Sequence, residues 1–168
     1  ELLWGWIAEF DLGLKRRELW DSRDFAVCLT HDVDRVKKTL RDIGYVLVRR
    51  RDMKTFLAAA VNYLKIRISL AKDPFNSFDY ITGIEKKYGF SSSFYFIAGG
   101  ATRYDRNYSI EDPKIAHLIN SLESRGFEIG LHSSFNSYND FEMLASEKRR
   151  LESVLGHRIS GTRQHYLR

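Results

Sequence analysis

The chain has 168 residues, of which 43% are hydrophobic and 14% aromatic, so it can bury the core of one globular domain. Its formal net charge of +5 is moderately basic, which leaves contact with an anionic surface open. No segment is long and apolar enough to cross a membrane, and the single cysteine, Cys28, excludes an intrachain disulfide.

The first 24 residues form a segment with no clear strand pattern, and we expect a helical or irregular lead-in over 1–24. Its large aromatic side chains should pack on the domain that follows. They are Trp4, Trp6, Phe10 and Trp20.

The first strand is predicted at residues 25–30, where an apolar run is typical of a short, fully buried strand. Cys28 lies in this run and is expected to be a small buried hydrophobe. Asp32 and Asp34 follow, two positions apart, where the strand would end. Because ligands and chemistry collect at that edge of the sheet in α/β folds, these two carboxylates are candidate site residues.

A helical insertion is predicted after the first strand, over residues 35–72. From Val36 to Ile68 the apolar residues recur at helical spacing, which indicates two amphipathic helices, arranged as a hairpin. A simple crossover between parallel strands needs one helix only. The insertion is also basic, notably at residues 49–51, which fits either a solvated helix face or binding to nucleic acid or an anionic membrane. No aromatic residues interleave with these charges as a stacking platform would need, so we expect no nucleic acid partner.

Strands and helices alternate along the rest of the chain. This order predicts parallel strands with right-handed crossovers, arranged as an open sheet or an incomplete barrel. The strands are expected at 93–97, 127–131 and 158–162. The helices are expected at about 78–88, 112–125 and 140–155, with Ser77, Asp112 and Asn139 or Asp140 at their starts and Gly89, Gly126 and Gly156 at their ends.

Two further polar clusters follow predicted strands. Asn136 lies four residues after His132, so on a helical turn the two side chains could share a metal ion. Near the end of the chain, Arg163 could hold Asp32 through a bidentate pair and keep it ionised. His165 could bind substrate or move a proton. The same residues also fit structural roles, as hydrogen-bonded histidines and a surface arginine.

Three motifs in this order resemble those of a known family. They read Thr-His-Asp-Val-Asp at 30–34, Gly-Leu-His-Ser-Ser-Phe-Asn at 130–136 and Arg-Gln-His-Tyr at 163–166. Over residues 25–168 they are similar to the first three motifs of the polysaccharide deacetylases, metal-dependent carbohydrate esterases that remove N- or O-acetyl groups from sugars. The resemblance implies an α/β fold, a distorted (β/α) barrel that would be incomplete in this chain and would carry the 35–72 insertion.

The resemblance also implies roles by position. Asp32 corresponds to the catalytic base, Asp34 and His132 to metal ligands, Arg163 to the residue that orients the base, and the Tyr166 backbone N–H to the oxyanion donor. The family's second metal histidine falls at Asn136, which we expect to be a third metal ligand. The usual proline of the third motif is His165, a candidate for the missing general acid. The metal would be zinc, with cobalt or nickel as alternatives.

A carbohydrate is therefore the expected partner, with cell-envelope glycans the natural guess by analogy. The expected activity is hydrolysis of an amide or ester of a sugar. The alternative is a catalytically inactive sugar-binding or scaffold domain with the same fold. Because we see no signal peptide and the chain looks like a piece of a longer protein, both the cytoplasm and the cell envelope stay open.

Overall fold

The computed structural model describes residues 2–10, 12–13, 25–105 and 108–167. Four strands form one parallel sheet in the order β1-β2-β3-β4, which is a half-barrel arrangement. The strands are β1 (Leu29–Val33), β2 (Ser92–Ile97), β3 (Glu128–Ser133) and β4 (Thr162–Gln164). The helices are α1 (Leu2–Glu9), α2 (Leu40–Arg50), α3 (Met53–Arg67), α4 (Phe78–Lys87), α5 (Pro113–Ser124) and α6 (Phe141–Leu155), with 3-10 turns at Ser137–Asn139 and His165–Leu167.

The two faces of the sheet differ in character. Side chains alternate between faces along a strand, and the register pairs Asp32 with Tyr95 and Tyr95 with Gly130, so these three share one face. The opposite face is apolar and forms the core with the helices. That core contains Val33, Phe94, Phe96, Ile129 and Leu131 from the strands and Phe78, Ile115, Ile119, Leu122 and Leu151 from the helices.

The predicted helix ends are largely confirmed. Asp112 accepts a hydrogen bond from the Lys114 backbone N–H at the start of α5, and Asp140 accepts one from Met143 at the start of α6. Such caps satisfy backbone donors that the helix cannot pair internally. Ser77 precedes α4 as predicted, but its side chain makes no capping hydrogen bond.

The helical insertion is confirmed as a hairpin, because α2 and α3 pack against each other. The chain turns between them at Arg51, whose φ of 50° is left-handed. Asp73, after α3, accepts a hydrogen bond of 2.8 Å from the Lys38 backbone N–H before α2, which closes the base of the hairpin. Within the described residues, no helix combines the length and the apolarity needed to cross a bilayer.

Two strands lie later in the chain than predicted. β1 begins at Leu29, so the expected buried strand at 25–28 is wrong, and Cys28 is exposed rather than buried. β1 begins at Leu29 because Leu29 pairs with Ser92, the first residue of β2, and residues 25–28 before it have no strand partner. Likewise β4 occupies Thr162–Gln164 instead of 158–162, because Leu131 of β3 pairs with Thr162.

The lead-in differs from expectation where it is described. Trp6 is 59% exposed and Phe10 is 72% exposed, so neither side chain packs on the domain as expected. The Trp4 side chain and Trp20 lie outside the described residues.

Candidate metal centre

Three potential metal ligands converge at the carboxyl edge of the sheet. Asp34 follows β1, His132 lies at the end of β3, and His165 follows β4. Each offers a ligand atom, and these atoms all lie within 4.8 Å of one another. The two histidines are buried, whereas the Asp34 side chain is half exposed. A carboxylate and two imidazoles are a donor set that suits zinc and leaves room for a further ligand.

The distances also suit a metal. Asp34 Oδ1 lies 3.4 Å from Nε2 of His132 and 3.8 Å from Nε2 of His165. Tetrahedral zinc, with bonds near 2.1 Å, holds its ligand atoms about 3.4 Å apart. The two imidazole rings lie side by side, with centroids 4.7 Å apart and planes inclined at 31°. Both Nε2 atoms therefore face the same carboxylate oxygen, and the three residues could hold an ion.

The hydrogen bond on the far side of His132 fixes its tautomer. Nδ1 lies 2.9 Å from the Arg163 carbonyl oxygen, and a carbonyl only accepts, so Nδ1 carries the hydrogen. In the neutral ring this leaves the Nε2 lone pair directed at Asp34, as metal-binding histidines require.

The charges of Asp34 and His132 are coupled. Burial lowers the pKa of His132, but the bonds to Asp34 and to the Arg163 carbonyl outweigh it, and the net pKa is above its ordinary value. In turn, the His132 hydrogen bond holds the pKa of Asp34 below its ordinary value. A cation is therefore favoured at this position.

A buried carboxylate that sequence reasoning missed, Asp105, lies beside His165. Nδ1 of His165 is buried, has no hydrogen-bond partner among the described residues and lies 3.5 Å from Asp105 Oδ1. Asp105 is buried and accepts hydrogen bonds from the backbone N–H groups of Phe135 and Thr102. A carboxylate behind a metal-binding imidazole sets the ring's tautomer and orientation. The available signal was its position, in the loop that follows β2 at the same edge.

The predicted pairing of Arg163 with Asp32 is observed, but it is not bidentate. Nη1 of Arg163 donates to Asp32 Oδ1 at 2.9 Å, and Nη2 donates to the Thr30 hydroxyl at 2.8 Å. Both bonds hold the guanidinium in place, and one Asp32 oxygen is not engaged by the arginine. The side chain of Asp32 remains 36% exposed, so water can reach it.

This ion pair joins the two outer strands of the sheet. Neighbouring strands lie about 4.8 Å apart, so β4 and β1 are separated by more than an arginine can reach across a flat sheet. The contact therefore requires a curved sheet, as in a half-barrel. The Arg163 guanidinium lies over the Tyr95 ring, 4.9 Å from its centroid. Gly130 leaves room for this ring, because a Cβ there would lie 2.5 Å from Tyr95 Cε1.

Asn136 does not follow His132 on a helical turn, so the predicted helical face is not formed, and a role of Asn136 as a metal ligand stays a prediction. His132 is buried within a strand, and Asn136 is exposed, immediately before a 3-10 turn. Ser134 separates the two, and the buried Glu147 accepts hydrogen bonds from both its backbone N–H and its hydroxyl. The cluster of potential ligands also contains His165, which the sequence had not indicated as a ligand.

Tyr166 lies beside the centre in a left-handed conformation, with φ of 60°. Its ring stacks on His165, with centroids 4.7 Å apart and planes inclined at 10°. The role predicted for its backbone N–H stays a prediction. His31, from the same motif as Asp32, faces the other side of the sheet and bonds to Glu85 at 2.7 Å.

Comparisons of the chain with protein-family models, with curated proteins and with solved structures give no match. Function is therefore inferred from the site itself.

Proposed function

We propose that this chain is a metal-dependent hydrolase, resembling the polysaccharide deacetylases, that removes an acetyl group from a sugar or polysaccharide. The observation that carries the proposal is the convergence of Asp34, His132 and His165 beside the Asp32–Arg163 pair. A candidate cation site next to a water-accessible carboxylate is an arrangement that suits metal-assisted hydrolysis.

The division of roles follows from charge and access. When bound, zinc or a similar divalent ion supplies Lewis-acid polarisation of the acetyl carbonyl and makes water more acidic. Asp32 takes the proton from the attacking water, and Arg163 orients its carboxylate through the hydrogen bond to Oδ1. The backbone N–H of Tyr166 is the proposed donor to the oxyanion that develops on the carbonyl oxygen.

His165 is reassigned in this proposal. Its Nε2 faces Asp34 within the ligand cluster, so it serves as a metal ligand rather than as the general acid considered from the sequence. The proton that the leaving amine or alcohol needs is then supplied by another group or by water.

The test of the metal site is elemental analysis of the purified chain after incubation with zinc and dialysis. We expect about one ion per chain, lost in His132→Ala and in His165→Ala. Asn136→Ala is the matched control, since it removes the ligand that the sequence pointed to, and it should retain the ion. Retention in His165→Ala together with loss in Asn136→Ala would contradict the assignment.

Acetate release tests the reaction. The zinc-loaded chain should release acetate from N- or O-acetylated oligosaccharides, and Asp32→Asn should lose at least about 100-fold in rate, the scale of general-base catalysis. Asp32→Asn should keep its zinc. Oligosaccharide binding with zinc present but without acetate release would favour the alternative, an inactive sugar-binding domain.

A further inference from the structure

The positive charge of the chain is concentrated in residues 35–72, the segment that contains the α2–α3 hairpin. Residues 35–72 hold eleven lysines and arginines but only two acidic residues, Asp42 and Asp52, and therefore carry +9. Since the whole chain carries +5, all the other residues together carry −4. The hairpin is thus a cationic element on an otherwise acidic chain.

The hairpin also exposes apolar side chains in a regular pattern. No residue of α3 is buried. Five large apolar residues follow one another at spacings of four, four, three and four positions, which places them on one face of the helix. Each is between 50% and 64% exposed. These residues, called the outer stripe below, are Met53, Leu57, Val61, Leu64 and Ile68.

The contact between α2 and α3 leaves the outer stripe largely uncovered. A cleft of about 400 Å³ between the two helices is lined mainly by Ile43 of α2 and by Phe56, Ala60 and Tyr63 of α3, and Leu64 is the one stripe residue that reaches it. On α2, Val48 is also exposed, at 76%. An exposed apolar patch of this kind more often marks a binding site than a surface that stays in water.

Cations lie directly beside the outer stripe. Lys54 and Lys65 each follow a stripe residue by one position, so their long side chains can extend past the apolar face while their ammonium groups stay in water. An apolar stripe with lysines along one edge fits a helix that lies in the headgroup region of an anionic bilayer.

We propose that the α2–α3 hairpin binds the surface of an anionic lipid membrane, with the outer stripe inserted among the acyl chains. Charge complementarity favours this occupant. A second copy would bring +9 against +9, and a nucleic acid would pair with the cations but leave the stripe in water. A bilayer of acidic lipids satisfies the charge and the apolar surface together.

The experiment is flotation of the whole chain with vesicles of phosphatidylcholine, with or without 30% phosphatidylglycerol, at 0.1 M and 0.5 M salt. We expect at least about tenfold stronger partitioning to the acidic vesicles at 0.1 M salt, weakening at 0.5 M. Leu57→Glu and the double change Lys54→Glu with Lys65→Glu should each reduce it about tenfold or more. Phe141→Glu and Lys114→Glu are matched controls on exposed positions of α6 and α5 and should leave partitioning unchanged.

Helical circular dichroism of each variant establishes that it is folded, which is expected because the substituted side chains are exposed. Equal partitioning to both vesicle types, or partitioning that Leu57→Glu does not alter, would overturn the proposal. A chain that does not bind vesicles but forms a dimer, which Leu57→Glu dissociates, would also overturn it. The same holds for a chain that does not bind vesicles but binds duplex DNA equally well with and without Leu57→Glu. None of these outcomes depends on metal content or acetate release.

Discussion

Gly130→Ala should disturb the candidate site through the Tyr95 ring. The added Cβ would lie 2.5 Å and 2.7 Å from two carbons of that ring and 3.1 Å from the Gly161 carbonyl oxygen. Carbon atoms in good contact are about 3.5–4.0 Å apart, so the ring has to move by about 1 Å. Arg163 lies over this ring and holds Asp32, and it would move with it.

The expected cost in the free energy of unfolding is about 1–3 kcal/mol, the range for one added methyl group in a packed position. Tyr95 is only partly buried and can yield, but the Gly161 carbonyl belongs to the backbone and yields less. Urea unfolding monitored by circular dichroism measures the change, and the rate of acetate release should fall with it.

Two variants control this prediction. Gly83→Ala adds the same methyl group to an exposed position in α4 with no atom within 4 Å, and it should be neutral or stabilising by up to about 1 kcal/mol. In the Tyr95→Ala background, Gly130→Ala should cost much less, since the clashing ring is gone. If Gly130→Ala alone is as stable as the native chain, the close packing between β2 and β3 inferred here is incorrect.

The remaining predictions concern charge, metal and core. In the metal-free chain, the raised pKa of His132 contributes stability below its ordinary value of 6.5, and the lowered pKa of Asp34 contributes stability above its ordinary value of 3.8. Asp34→Asn should therefore destabilise most between about pH 4 and 6.5, by at most about 1 kcal/mol because this carboxylate is half exposed, and thermal unfolding across pH tests this. Asp105→Asn should weaken zinc binding roughly 10- to 100-fold in chelator competition by releasing His165, and unchanged affinity would exclude an orienting role. Leu122→Ala should cost about 2–5 kcal/mol in urea, because the side chain is fully buried in the core.

The order of elements could be predicted from the sequence because its signals are local. Helical spacing, capping residues and glycines at helix ends each act within a few positions, and α5 and α6 begin where Asp112 and Asp140 predicted. Strand limits depend on the partner strand instead. The apolar run at 25–28 has no opposing β2 residue, so nothing in its own composition could show that β1 begins at Leu29.

Only part of the candidate site could be predicted, again because local signals locate some residues and long-range contacts locate the others. Asp34 and His132 stand at strand ends that sequence patterns locate approximately. The choice between Asn136 and His165 depends on where β4 pairs and on how Glu147 anchors the chain after β3. Both are long-range contacts, which spacing along the chain does not show.

The three-residue strand β4 and the turn after it position much of the candidate metal centre. They supply the guanidinium that holds Asp32, the carbonyl that orients His132, and His165 itself. Local opening of β4 would remove all three at once while the apolar core stays folded, so the integrity of the site follows the local opening equilibrium rather than global unfolding. Conversely, a ligand that bridges Asp34 and His165 would link residues 131 positions apart and slow hydrogen exchange in β4.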